Sequence, residues 1–130
     1  VVVNTPDGDK AISVFGDKMG IRLALDRDAK QWGARMMFFR IGGITLEVIQ
    51  RYGDEKTPAM PLDAPSVYWG MAFRAHDVAA AQARLASAGV NVSDVRKGRK
   101  PGMLVATVRD KSGGVPMLIV GPDPQADETA

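Results

Sequence analysis

Glu47 is a lone carboxylate in the apolar run Ile44-Thr45-Leu46-Glu47-Val48-Ile49. With the two-residue period of a strand it shares a face with Thr45 and Ile49. A carboxylate seldom faces an enclosed space without a partner. Glu47 is therefore a candidate proton acceptor, ligand contact or remnant metal ligand; the plainer reading is a solvent-facing edge strand or an ion pair with an Arg. Arg40 and Arg74 close two other strand-like runs, and a planar guanidinium suits an anionic group, although a surface ion pair explains either. Arg99 and Lys100, in the basic stretch Arg96-Lys97-Gly98-Arg99-Lys100-Pro101-Gly102, can draw phosphate or carboxylate or form a solvated loop. Trp32 and Trp69 can stack on a flat ligand, and Trp69 precedes Gly70, where the missing side chain opens space. Core packing or a dimer contact explains both equally well. Asn4, at the end of the first strand, is a further candidate polar contact.

Much other chemistry is excluded. The chain has no Cys and one His, so disulfides, thiolate ligands and an all-His metal site are out of reach. His76 precedes the helix cap Asp77 and reads as a surface residue, which leaves no credible Ser-His-Asp triad. Phosphate-cradling glycine loops are absent. A net charge of +2 is too small for a nucleic-acid partner, and the basic stretch lacks interleaved aromatics. No apolar run approaches the ~20 residues that span a bilayer, and no signal-peptide pattern opens the chain. The expectation is a cytoplasmic protein that is not membrane-bound. Because the sequence opens on Val1 and not Met, one or more preceding residues are expected.

The elements that must position these residues repeat. Val1 to Asn4 reads as a strand, and Thr5-Pro6-Asp7-Gly8-Asp9 supplies turn and helix-start residues. Ile12, Phe15 and Met19 share a helical face, which Gly20 ends. Ile21 to Leu25, Arg35 to Ile41 and Ile44 to Ile49 read as strands, with a turn at Gly42-Gly43. A polar, Pro-rich linker follows at residues 51–66. The order then recurs. Tyr68 to Ala75 is a strand, and a helix capped by Asp77 carries Val78, Ala81, Leu85 and Ala88 on one face. Gly89 stops that helix; Val90 to Val95, Leu104 to Arg109 and Pro116 to Val120 are strands, with a turn at Gly113-Gly114. Two βαβββ modules, residues 1–50 and 67–122, mark a duplication. The expected class is α+β: an eight-stranded, partly closed mixed sheet forming a cup, helices outside, one compact domain overall. The tail, 123–130, is expected to be disordered.

Phe15-Gly16-Asp17-Lys18-Met19-Gly20, Gly43-Ile44-Thr45-Leu46-Glu47-Val48, Gly70-Met71-Ala72-Phe73-Arg74-Ala75-His76-Asp77 and Val78-Ala79-Ala80-Ala81-Gln82-Ala83-Arg84-Leu85 carry a resemblance. In that order and spacing they resemble the vicinal-oxygen-chelate superfamily of glyoxalases, bleomycin-resistance proteins and extradiol dioxygenases. The resemblance spans about residues 1 to 122. It implies a small-molecule cup, often dimeric, with divalent-metal ligands on the first and fourth strands of each module. Of those slots Glu47 fills one, Gly70 and Leu118 carry no donor, and the fourth falls at or before Val1. A divalent site usually takes about three protein ligands, so a metal held by this chain alone is not expected. Three readings stay open: an enzyme of lyase or isomerase type with Glu47 as base; a non-catalytic, ligand-sequestering protein of the drug-resistance type; and a divalent-metal enzyme with a ligand upstream of Val1. A small organic ligand, anionic or aromatic, and a homodimer are the expected partners.

Overall fold

The computed structural model describes residues 1–110 and 114–126. The chain divides into two compact units, Val1–Trp69 and Gly70–Ala130. The division falls inside a strand and not in the 51–66 linker.

The first unit holds β1 (Val2–Asn4), α1 (Gly8–Ala11), β2 (Arg22–Ala29), β3 (Ala34–Ile41) and β4 (Ile44–Arg51). Its strands lie in the order β2-β3-β4-β1. β1 runs parallel to β4, and the other pairs are antiparallel. Asp7 caps α1 by accepting the Lys10 amide hydrogen, 3.0 Å. The Gln50 side chain accepts the Gly8 amide hydrogen at 2.8 Å, which fixes the helix start to β4. The helix then widens into a π-helical stretch, Ile12–Lys18. A wider turn rotates later residues away from a 3.6-residue face. Ile12 and Phe15 therefore reach the core, whereas Met19 is 61% exposed, against the expectation that all three share one helical face.

The second unit contains most of β5 (Val67–Arg74), then α2 (Val78–Ser87), β6 (Arg96–Lys97), β7 (Met103–Val108) and β8 (Met117–Pro122). The order β5-β8-β7-β6 repeats the first unit element for element, again with one parallel pair, β5 and β8. The α+β class and the two βαβββ modules expected from the sequence are what the structure has. Both helices stop at a glycine in left-handed conformation, Gly20 at φ 73° and Gly89 at φ 83°.

One strand is displaced. The run Val90 to Val95 is not a regular strand: only an isolated bridge, Val92 to Val108, marks it. Its Val residues are spaced 90, 92, 95 and all pack on the helix side of the sheet. The Ser93 hydroxyl takes the Thr107 amide hydrogen at 2.8 Å in place of a regular ladder bond. Pairing resumes at Arg96 and Lys97, inside the stretch whose composition predicts a loop. At the other end, the Asp123 amide donates to the Gly102 carbonyl at 2.8 Å and Ala126 to Asp123 at 3.1 Å. Of the expected disordered tail, residues 127–130 lie outside the described residues, as does Gly113 of the second Gly-Gly turn.

Asp77 accepts the Ala80 amide hydrogen at 2.9 Å. Asp77→Ala is expected to cost about 1 kcal/mol, read as a lower urea midpoint.

Candidate functional site

Opposed residues of paired strands share a face, so register sorts the first unit. The helix-side face carries Met37, Phe39 and Val48, fully buried beneath Ile12 and Phe15. Phe15 and Phe39 meet edge to face, with centroids 5.7 Å apart. On the rim of this side Arg35 donates to Asp26 at 2.8 and 2.9 Å and to Asp9 at 2.7 Å. These bonds hold the Asp26 carboxyl below its usual range, the Arg35 hydrogen bond being the main cause. A depressed folded pKa adds stability above the unfolded value, and that stability is lost as pH falls through the folded value. The stability gap between wild type and Asp26→Asn should hold from pH 7 to 5 and close below roughly pH 4. The effect will be small at so exposed a pair, and urea midpoints across that range measure it.

Among the described residues of the first unit, no α-helix packs on the other face. That face carries Val2 and Asn4 of β1, Leu25 and Arg27 of β2, Met36, Phe38 and Arg40 of β3, and Thr45, Glu47, Ile49 and Arg51 of β4. Glu47 is half-buried, opposed to Phe38 on one side and Val2 on the other. Its amide donates to the Val1 carbonyl at 2.8 Å. Arg40 donates to the Thr45 hydroxyl at 2.6 Å, one step along the same face. A register shift between Leu23 and Leu25 brings Arg22, opposite Arg40, to this side as well. Four guanidinium groups, Arg22, Arg27, Arg40 and Arg51, thus share a sheet face on which Glu47 is the strands' one carboxylate. Of these only Arg40 stands out in the sequence, because the irregularity that aligns Arg22 with Arg27 is invisible in residue spacing.

At the end of this face, beyond Ile49, lies a recess of about 410 Å³. Asn4 and Trp32 line it, together with Ile49, Arg51, Thr57 and Met60. Trp32 sits in a single 3₁₀ turn, Lys30–Trp32, closed by Gly33 at φ 65°, and the Arg27 guanidinium lies over its ring, 5.3 Å from the centroid. Residues 53–58 form a small hairpin: Gly53 pairs with Pro58, and Asp54 accepts the Lys56 and Thr57 amide hydrogens at 2.9 and 2.7 Å. Part of the 51–66 linker thus builds one wall of the recess.

The remaining candidates lie elsewhere. Trp69 is half-buried against the cluster of Val2, Met36 and Ile49. Arg74 is exposed at the end of β5, opposite Val120. Arg99 and Lys100 are exposed on the turn before β7 and join no cluster of candidate residues. Arg96, outside the candidate set, donates to Ser93 and Thr107 at 3.0 and 2.8 Å.

Among the described residues a divalent cation finds no matching donor set. Among the described residues no three of His, Cys, Asp and Glu converge. In the second unit Leu118 lies beside Ala72 and Thr107. Gly70 cannot regain a side chain in place: a Cβ there would lie 2.1 Å from the Pro116 carbonyl oxygen. The described residues do not supply the three or so ligands that a divalent site needs at the positions the resemblance implies.

A family model described as the Glyoxalase/Bleomycin resistance protein/Dioxygenase superfamily matches residues 1–115. Methylmalonyl-CoA epimerase from Mycobacterium tuberculosis is similar in structure, with a TM-score of 0.75 at 22% identity over 98% of this chain and 89% of that one. A variant of the Streptomyces coelicolor methylmalonyl-CoA epimerase, in complex with 2-nitronate-propionyl-CoA, reaches 0.71 at 18% identity over 95% and 92%. A hypothetical protein from Bacillus halodurans C-125 reaches 0.75 at 16% identity over 96% and 93%. At these identities the likeness is one of fold. No curated protein matches the sequence.

Proposed function

This chain belongs to the glyoxalase/bleomycin resistance protein/dioxygenase superfamily, and we propose that it is an isomerase-type member that moves a proton on a small anionic organic molecule. The observation that carries the reading is Glu47, half-buried on the helix-free face between Phe38 and Val2, one step from the Arg40–Thr45 pair. In this reading Glu47 takes the proton from a carbon next to a carbonyl, and the electron pair moves onto the carbonyl oxygen. The arginines of the face hold the anion and offset the charge that develops. Glu47 then gives its proton up to water, and a proton delivered from solvent to the opposite face of that carbon inverts its configuration. That two of the similar folds are methylmalonyl-CoA epimerases supports a chemistry of this class. Among the described residues, the donor set supports a reaction that needs no divalent metal.

Deuterium wash-in tests the proposal. Protein in D₂O is incubated with a panel of α-branched carboxylates and acyl-CoA thioesters, methylmalonyl-CoA included, and mass spectrometry follows exchange at the α-carbon. Protein-dependent exchange on at least one anionic member is expected; a panel that stays unlabelled refutes the proton-transfer reading.

The second reading is a ligand-sequestering protein without catalysis. The Trp-lined recess at the end of the same face favours it. It predicts compounds that raise the melting temperature and are recovered unchanged. In either case the proposal places the protein in the cytoplasm as a homodimer, as such cups often are. Light scattering at twice the chain mass supports the dimer; the single-chain mass refutes it. No helix among the described residues is long and apolar enough to cross a membrane.

A further inference from the structure

We infer that the recess between Trp32 and the 53–58 hairpin is a binding site for an uncharged, planar heteroaromatic ring that carries both hydrogen-bond donors and acceptors. The inference rests on the reading of this face as the ligand surface and adds the chemical class of one part of the ligand. A volume of about 410 Å³ falls in the range of small-molecule sites, roughly 300–1,000 Å³.

The lining sets the class. Trp32 offers an aromatic surface. Arg27, which is not part of the recess wall, lies over its ring and restrains it, so the indole is held in place before a ligand arrives. Ile49, Pro58 and Met60 supply apolar contact, and methionine adapts to an aromatic edge. Asn4 and Thr57 are neutral, and each can both donate and accept. The two charged groups of the wall, Arg51 and Asp54, are opposite in sign and leave no net charge. Asp54 also spends Oδ1 on the amide hydrogens of Lys56 and Thr57. A wall of this kind selects neither an anion nor a cation. It selects a flat ring whose edge pairs with an amide and a hydroxyl.

The position adds a constraint. Strand residues advance about 3.3 Å each, so Ile49 stands ~7 Å beyond Glu47 on the same face. A ring seated on Ile49 and Trp32 leaves the rest of its molecule room to extend back along β4 toward Glu47 and the arginines.

The probe is adenine, which is uncharged and has both donors and acceptors, set against indole, benzoate and benzamidine. The readout is the indole N–H resonance in two-dimensional NMR of the intact chain. The chain has two Trp, so Trp32→Phe assigns both signals. Saturable shift of the Trp32 signal by adenine is expected, with the other three compounds at least about tenfold weaker. Asn4→Ala and Thr57→Val should each weaken adenine at least fivefold while the melting temperature holds. The same response to all four compounds, an adenine response in which Trp32 does not move, or full affinity in both variants overturns the inference. The two readings fail separately. Exchange at an α-carbon without adenine binding leaves the Glu47 proposal standing and removes this one; adenine binding with no exchange on any panel member does the reverse.

Discussion

Glu47→Gln will lower α-carbon deuterium exchange at least about 100-fold, the lower end of what a positioned acid or base contributes. The exchange of one carboxylate oxygen for an amide nitrogen keeps the size and shape of the side chain and removes its basicity. Glu47 is half-buried between Phe38 and Val2, and its backbone bond to Val1 is untouched, so the β1–β4 pairing should persist and the variant should fold. Glu47→Asp keeps the base but withdraws it by one methylene, and its activity should fall between the two. A purely structural carboxylate gives another pattern: stability drops in both variants, and any exchange activity follows the folded fraction alone. Circular dichroism melts beside the mass-spectrometric assay separate the two cases.

Gly70→Ala will destabilise the protein by at least about 3 kcal/mol, the upper end of ordinary overpacking, and Gly70→His, which would refill a ligand position of the family, will do no better. The added Cβ would stand 2.1 Å from the Pro116 carbonyl oxygen and 3.0 Å from its carbon. Both are backbone atoms, and the same oxygen accepts the Met71 amide hydrogen at 3.2 Å. No rotamer relieves the overlap, so the β5–β8 pairing itself must shift. Leu118, half-buried on β8, sits in no such vice, and Leu118→His should be tolerated much better. Urea melts of the three variants measure the order. A Gly70→Ala protein as stable as wild type would show that the position is merely empty and not closed.

Local signals carried most of the fold. Gly20, Gly89, Asp77 and the apolar periods announced two copies of one unit, and the motif order pointed to the superfamily that the family model matches. The misplaced elements are those where spacing stops reporting geometry. Val90 to Val95 alternates well enough for a strand, yet Ser93 side-chain bonding interrupts the ladder. Ile12, Phe15 and Met19 are spaced for an α-helix, and a π-helical stretch turns Met19 outward. The helix-free face was half legible. Glu47 stood out as a charge in an apolar run, while the arginine cluster around it depends on strand register and on a shift between Leu23 and Leu25. The recess was least legible, because residues 53–58 form a wall through turn bonds of Asp54 and a Gly53–Pro58 bridge, none of which leaves a periodic trace.

The claim that Glu47 and its neighbouring arginines move a proton without a divalent metal meets its most direct test in one chelator-dialysed sample, assayed for metal content and α-carbon exchange together. The account predicts an undiminished exchange rate with less than about a tenth of an equivalent of metal, well below the occupancy of a structured site. Exchange that disappears on dialysis and returns with added divalent cation would contradict it.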